Sequence, residues 1–327
     1  MIPGKSQYMG AILAAGRGSR MAPFSESHPK PLLPVCNKPL IEYQIAIMRS
    51  LGITDIVVLV GHKGFEISKV LGDGSPLGVR IRYVEQMQPL GIAHGVGRLE
   101  SVIDRPFLLF LGDIFFVPGD IGEMLRLFEE QGGGAVLATK EEHDKDAIRK
   151  NYALKVNEEG FVTRVIEKPR HVTNTLKGVG LYLFDLSVFD AIRRTPRTAA
   201  RDEYEITESI QVMILDGAPV RPSNSIIDDI NLTTSSDLLF CNLMQARREN
   251  GGSLIAPDFT PPAGTEILNS VIGPNVEIEK PIRISQSVVL EGTRIGSATG
   301  FHRYILAPQF RVDCSHGLSE AQLSQWQ

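Results

Sequence analysis

Short runs of apolar and β-branched residues recur along the first half of the chain, and the segments between them carry apolar residues at helical spacing. Met9–Ala14, Asp55–Val60, Val79–Val84 and Phe107–Leu111 read as buried strands. Pro39–Leu51 places Leu40, Ile41, Ile45, Ile47 and Met48 on a helix that Gly52 stops. Strands alternating in this way with helices predict an α/β fold with a doubly wound, mostly parallel sheet of Rossmann-like layout. Past Gly132–Gly134 the pattern predicts strands at about 135–139, 152–156, 162–166 and 179–184, with helices near 186–193 and 206–215. These strands read as antiparallel additions that make the sheet mixed.

A last helical pattern, Ser235–Arg248, runs into the polar stretch Glu249-Asn-Gly-Gly252, where a domain break is expected. The division is then a main domain over 1–250 and a C-terminal region over 251–327. From Ser253 to Gly296 aliphatic residues such as Ile272, Ile278, Ile284 and Leu290 return about every sixth position among turn formers, the pattern of a short left-handed β-helix-like coil. A β-hairpin appendage is the alternative. A stack so short leaves its ends and a face to be covered, which predicts packing on the main domain or a homo-oligomer. Phe301–Gln327 carries no clear signal.

The composition narrows the function. With 34 basic and 38 acidic residues in 327, the formal charge is −4, which leaves no broad positive surface for nucleic acid. Cys36, Cys241 and Cys314 form no C-x-x-C pair and read as bland thiols of a reducing compartment. Met1–Met9 lacks the apolar stretch of a signal peptide, and no apolar run is long enough to cross a membrane, so a cytoplasmic protein is expected. No H-x-H, H-E-x-x-H or G-x-S-x-G spacing is present, which argues against a zinc site or a hydrolase elbow. The charge run Lys140–Lys150 reads as a solvated loop or helix face.

The segment with most chemistry is Leu13-Ala-Ala-Gly-Arg-Gly-Ser-Arg20, followed by His28-Pro-Lys-Pro-Leu-Leu-Pro34. A strand running into Gly16 and Gly18 leaves backbone N–H groups free to approach phosphate oxygens, and Arg20 and Lys30 add cations. It is neither a G-x-G-x-x-G fingerprint nor a P-loop. Together the two pieces resemble the signature of the sugar nucleotidylyltransferases, nearest to the glucose-1-phosphate thymidylyl- and uridylyltransferase group. The resemblance runs from Met9 to Leu239 and implies that group's nucleotidyltransferase fold. It also implies that Leu13, Ala14, Ala15, Gly16, Gly18 and Ser19 wrap a triphosphate, that Arg20 contacts the leaving pyrophosphate and that Lys30 contacts the phosphates.

Downstream segments extend it. Tyr83-Val-Glu-Gln-Met-Gln-Pro-Leu-Gly-Ile-Ala-His94 is similar to the family stretch that reads the base, which points to Gln86 and Gly91. A neutral amide suits the donor and acceptor of a uracil or thymine edge. Leu90 stands where thymidylyltransferases often have aspartate, so the base stays open. Phe107-Leu-Leu-Phe-Leu-Gly-Asp113 puts Asp113 at the carboxyl edge of a parallel strand, where α/β ligand sites lie. The resemblance adds a second metal aspartate within Ile226-Ile-Asp-Asp-Ile-Asn231: Asp229, with Asp228 as the alternative. Mg²⁺ is the expected cofactor, held by such carboxylates with phosphates and water.

Val165-Ile-Glu-Lys-Pro169, Gly178-Val-Gly180 and Arg201-Asp-Glu-Tyr-Glu-Ile-Thr-Glu208 resemble the family's sugar side. They imply Glu167 on sugar hydroxyls, Lys168 on the 1-phosphate, Gly180 as a close backbone approach and Arg201 as a second phosphate contact. The expected reaction joins a nucleoside triphosphate, dTTP or UTP, to a sugar 1-phosphate with release of pyrophosphate. A transferase for a cyclitol or amino-alcohol phosphate, or a non-catalytic nucleotide-sensing subunit, are the alternatives on the same fold.

Overall fold

Strand β1 (Met9–Ala14) is flanked on both sides by parallel partners, β2 (Asp55–Val60) and β4 (Phe107–Leu111), and β2 pairs in parallel with β3 (Arg80–Glu85). A strand with neighbours on both edges and helices on both faces has no solvated side, which is why β1, β2 and β4 are nearly all apolar. The computed structural model describes residues 6–16, 18–199 and 201–318. Further strands are β5 (Ile114–Pro118), β6 (Ala135–Glu141), β7 (Tyr152–Val156), β8 (Val162–Glu167), β9 (Leu176–Phe184), β10 (Val220–Ser223) and β11 (Ile226–Asn231). Among the described residues the main sheet has nine strands in the path β8-β7-β9-β4-β1-β2-β3, with β6 beside β9 and β10 beside β6. β9 is antiparallel to β4, β6 and β7, so the added strands make the sheet mixed, as their pattern predicts. The chain runs β1, β2, β3 to one side and returns to the other side at β4. That places the topological switch point, and its crevice, between the carboxyl ends of β1 and β4.

Helix α1 (Leu40–Ser50) lays the Met48 sulfur where a Gly10 side chain would be, so Gly10 lets the helix sit close on β1. Other helices are α2 (Gly64–Leu71), α3 (Ile92–Gly97), α4 (Gly122–Gln131), α5 (Ser187–Arg194), α6 (Ile206–Leu215) and α7 (Ser235–Asn250). Thr234 caps α7 in a reciprocal box with Asp237, and Gly251 at φ 73 ends it. Leu59, Leu99, Phe107, Phe184 and Phe189 are central to the core under one face of the sheet.

The chain forms two compact units: Met1–Arg17 with Gln44–Asp229, and Gly18–Tyr43 with Ile230–Gln327. The second unit therefore holds α7 and part of the loop after β1 along with the C-terminal coil. In that coil every parallel partner lies 17 residues on, as in the ladder Ser253, Ser270, Ser287, Tyr304. Leu254–Ile255, Val271–Ile272, Val288–Val289 and Tyr304–Leu306 stack as one side, Glu266–Leu268, Arg283–Ser285 and Phe301–His302 as a second, and Glu277–Ile278 with Arg294–Ile295 as a third. Parallel stacking makes this a β-helix coil rather than a hairpin appendage. Ile272, Ile278 and Ile284 of the aliphatic steps noted in the sequence fall one on each side, and the next place on the first side is taken by Val289, 17 residues after Ile272, with Leu290 just past that strand.

The coil's cover comes in part from within its own unit. α7 packs on the first side, and Arg311–Asp313 pairs antiparallel with Tyr304–Leu306 to close the last coil. Residues 319–327 of the tail lie outside the described residues, as do Met1–Lys5 of the stretch read for a signal peptide. Among the described residues no helix is long and apolar enough to cross a membrane.

Candidate functional site

In the first unit, the ends of β1, β3 and β4 share the carboxyl edge of the parallel strands. Leu13, Ala14, Ala15 and Gly16 leave β1 between two glycines. Gly112 donates its N–H to Leu13 O at 2.9 Å, and a Gly112 side chain would lie 2.6 Å from that oxygen. A Gly61 side chain would lie 2.7 Å from Ala15 O. Both positions must be glycine for the loop to pass. A side chain at Gly16 would meet nothing within 4 Å.

Asp113 follows Gly112 in the turn between β4 and β5. That turn is braced from α1 by Gln44, a residue the motif reading did not single out. Gln44 is 1% exposed, and its amide donates to Leu111 O and Ile114 O, both at 2.9 Å, on either side of Gly112–Asp113. β5 pairs with β11, and Gly119 N–H donates to Ser225 O at 2.9 Å where β5 ends and β11 begins. The two strands therefore run antiparallel, which sets the start of β5, next to Asp113, beside the second half of β11, where Asp229 lies.

Asp228 and Asp229 point to different lysines. Lys177 on β9 reaches Asp229 Oδ1 at 2.6 Å, and that aspartate side chain is 0% exposed. Lys140 on β6 reaches Asp228 Oδ1 at 2.5 Å, and Glu142 lies 3.5 Å from Lys140 and 3.9 Å from Lys177. Lys140 and Lys177 are directly opposite in the β6–β9 register, a like-charge pairing that needs these carboxylates beside it. Burial works against the charged form of Lys140, but the hydrogen bond and charge of Asp228 raise its pKa overall. Reading Lys140–Lys150 as wholly solvated is thus corrected at its first residue: Lys140 is half-buried in this cluster, and the exposed turn of helix comes later, at Lys145–Lys150. Lys177, buried in β9, was missed because it stands alone in an apolar strand.

Hard oxygen donors at Asp113 and Asp229 suit Mg²⁺. Asp229 Oδ2 is buried without a hydrogen-bond partner, an acceptor open to a cation, while Oδ1 is shared with Lys177. Asp228 is more exposed, and its Oδ1 is already shared by Lys140 and Asp229 N–H. The residues therefore fit a cation better at Asp229 than at Asp228.

Gln86, at the end of β3, is 6% exposed, and its Nε2 lies 2.7 Å from His94 Nδ1. Burial, and then the charge of Arg98, lowers the His94 pKa, so its neutral ring accepts the Gln86 proton and fixes the amide. His94 is a partner that motif reading passed over. Gly91, at φ 112, meets protein backbone: a side chain there would lie 2.5 Å from Tyr204 O, and Tyr204 N–H donates to Leu90 O at 2.8 Å.

On the sugar side, Glu167 at the end of β8 receives the Thr207 hydroxyl at 3.3 Å and lies 3.7 Å from Lys168, which stands at φ 42. Burial, then the charge of Glu205, raises the Glu167 pKa. Arg201 bridges Glu205 at 2.8 Å, Glu203 at 3.1 Å and Glu167 at 3.5 Å, so its charge is already shared among three carboxylates. Glu205, 3% exposed, joins the group unforeseen. The space beside Gly180 is filled by Leu111 and Ile114, leaving its backbone rather than its missing side chain for any ligand.

The second unit carries Gly18, Ser19, Arg20 and Lys30. Gly18 stands at φ 65 as the left-handed lead-in to the turn Ser19–Met21, and a side chain there would lie 2.8 Å from Lys30 Cγ. Lys30 is 8% exposed, its stem packed on Gly18, whereas Ser19 and Arg20 are exposed. Cys36, Cys241 and Cys314 are all buried and free, and burial pushes the Cys36 thiol up to about 12. None is a poised nucleophile.

Comparison with known proteins shows the family and the fold. Residues 9–224 match the family model described as nucleotidyl transferase. The chain is 39% identical over 210 residues to the low-salt glycan biosynthesis nucleotidyltransferase Agl11 of Haloferax volcanii, covering 64% of this chain and 57% of that one. It is 29% identical to a glucose-1-phosphate thymidylyltransferase of Streptomyces antibioticus over 92% of this chain and 98% of that one. A Bacillus anthracis crystal structure with sucrose, described as a candidate glucose-1-phosphate thymidylyltransferase, superposes with a TM-score of 0.66 at 28% identity, covering 74% of this chain and 96% of that one.

Proposed function

Because the chain belongs to the nucleotidyl transferase family, we propose that it transfers a nucleoside monophosphate from dTTP or UTP to a sugar 1-phosphate, releasing pyrophosphate. The observation that carries this reading is the meeting of Leu13–Gly16 and Gly112–Asp113 at the switch point of the sheet, an open glycine loop beside a braced carboxylate. In the proposed reaction a sugar 1-phosphate oxygen attacks the α-phosphorus in line. The new P–O bond forms as the bond to the β-phosphate oxygen breaks, and the electron pair leaves with pyrophosphate. The nucleophile is already anionic, so the chain needs no general base.

Positioning and charge neutralisation then carry the rate. Arg20 and Lys30 are assigned to the pyrophosphate portion, and Lys168 to the sugar 1-phosphate. Arg201 supports Lys168 less directly, by holding Glu167 and Glu205. Glu167 accepts from sugar hydroxyls, and Gln86, fixed by His94, reads the base. Asp113 and Asp229 are the residues that would hold Mg²⁺, which when bound supplies positive charge at the reacting phosphates.

The test is pyrophosphate release from five nucleoside triphosphates against a panel of sugar 1-phosphates, with and without EDTA. Turnover should require added Mg²⁺ and favour dTTP or UTP. Full turnover in metal-free buffer would remove the aspartate site. A preference for GTP or CTP by ~100-fold, about 2.7 kcal/mol, would remove the Gln86 assignment.

A further inference from the structure

We propose that Asn242 on α7 and Phe310 beside the C-terminal coil are positioning residues for Lys30, so that the coil serves phosphate binding. The proposal rests on the transfer reading above, in which Lys30 contacts the triphosphate. Every contact it uses lies within the second unit.

Asn242 is 1% exposed and uses both ends of its amide on the chain just after Lys30. Its Nδ2 donates to Pro34 O at 2.9 Å and its Oδ1 accepts from Cys36 N–H at 2.8 Å. An amide spaced in this way takes the place of a neighbouring strand for Pro34–Val35. The same Nδ2 donates to Leu238 O at 3.0 Å, and the Cys36 thiol donates back to Asn242 O at 3.4 Å, so the clamp is tied into α7. Cys36 and Asn37, at φ 49 and 63, make the tight turn to Lys38–Pro39. From that turn Asn37 Nδ2 donates to Ile272 O, in the coil, at 3.0 Å.

Ahead of Lys30, the buried Phe24 ring meets Phe310 edge-on, centroids 4.9 Å apart at 85°. Phe310 directly precedes the strand that closes the last coil. Lys30 sits between these anchors, in a turn where Leu33 N–H donates to Lys30 O at 3.0 Å, with its stem fixed against Gly18. A coil serving only assembly would bury apolar surface, but it would have no need to hydrogen-bond into this segment.

The test uses full-length point variants, with dTTP or UTP and glucose 1-phosphate as substrates. Asn242→Ala should raise the KM for the triphosphate about tenfold, the loss of about 1.4 kcal/mol of positioning, while the KM for glucose 1-phosphate stays within about twofold. Asn242→Asp, which keeps the acceptor for Cys36 N–H but sets a buried carboxylate against Pro34 O and Leu238 O, should raise that KM at least as far as Asn242→Ala. Phe310→Ala should act in the same direction, and Phe310→Tyr should restore the wild-type value. Hydrogen exchange read by mass spectrometry should quicken over residues 24–40 and stay unchanged over 107–118. Equal rises in both KM values, or an unchanged triphosphate KM in a folded Asn242→Ala protein, would overturn the proposal. If the wild type transfers with no triphosphate at all, the functional reading fails. The exchange comparison then still decides whether Asn242 and Phe310 hold the segment, and unchanged exchange there overturns that as well.

Discussion

Replacing Gln44 by Met removes two hydrogen bonds and little volume, which isolates what the brace under Asp113 contributes. Leu111 O and Ile114 O each lose a donor 2.9 Å away, at a site where Gln44 is 1% exposed, so water cannot easily replace it. A buried carbonyl left without its donor costs about 1–3 kcal/mol. Two would cost about 2–6, but Gln44 Oε1 is itself buried without a partner, and deleting it returns on the order of 1–2 kcal/mol. The expected net loss of stability is therefore about 1–4 kcal/mol. Gln44→Glu should be worse, because an ionised carboxylate offers no hydrogen to either carbonyl. The functional consequence follows from place: the two carbonyls flank Gly112–Asp113, so the carboxylate should lose its fixed posture before the sheet melts. In a Mg²⁺ titration of pyrophosphate release, the half-saturating concentration should rise about tenfold for Gln44→Met, the equivalent of about 1.4 kcal/mol. Urea unfolding supplies the stability term separately. A variant that is destabilised as expected yet keeps the wild-type Mg²⁺ midpoint would refute the link between the brace and Asp113.

Gly91→Ala combines a φ of 112 with a Cβ 2.5 Å from Tyr204 O, and a loss of about 2–5 kcal/mol is expected in urea unfolding; an unchanged midpoint would show that the loop relaxes freely. Lys177→Met strands the enclosed Asp229 carboxylate and should cost about 3–5 kcal/mol, most of it recovered when Asp229→Asn is added. A double variant no better than the single would deny the pairing. The Glu167 pKa is raised from 4.5 by burial and by Glu205, so the folded protein holds that proton more tightly than the unfolded chain. Stability is then lost as pH rises from 4.5 through the folded-state pKa, and Glu167→Gln should raise the melting temperature at pH 7 but not at pH 4. Equal effects at both pH values would refute the linkage, and a larger rise at pH 4 would reverse its sign.

The parallel core was legible because its strands are buried on both faces and its first helix has a clear apolar stripe. Met9–Ala14, Asp55–Val60 and Phe107–Leu111 coincide with strands as read, and 206–215 coincides with α6. Ile114–Pro118, a strand of its own directly after Gly112–Asp113, was not read from the sequence. The glycine-rich segment and the Gly112–Asp113 turn stood out in the sequence because each follows directly on an apolar strand. The side chains that support them did not. Gln44, His94 and Lys177 each act on a residue far away in sequence, and one polar residue in a helix or strand carries no signal of its partner. Arg201 shows the converse: its motif was visible, but Glu203 and Glu205 within it were not foreseen as its ion-pair partners.

The boundary between the compact units falls between Arg17 and Gly18, inside the glycine-rich loop itself. The loop's two glycines accordingly differ: a side chain at Gly16 would meet open space, whereas Gly18 is pressed on the Lys30 stem. A break placed at Asn250 from composition alone would keep Asn242 but discard Ile272 and Phe310, two of the contacts that hold the segment around Lys30. Loss of transfer in such a fragment would therefore not locate chemistry in the coil, and retained mass in solution would not show that the coil is idle. Only substitutions that leave the coil folded, at Asn242 or Phe310, can test the proposed support of the lysine apart from any part the coil has in subunit assembly.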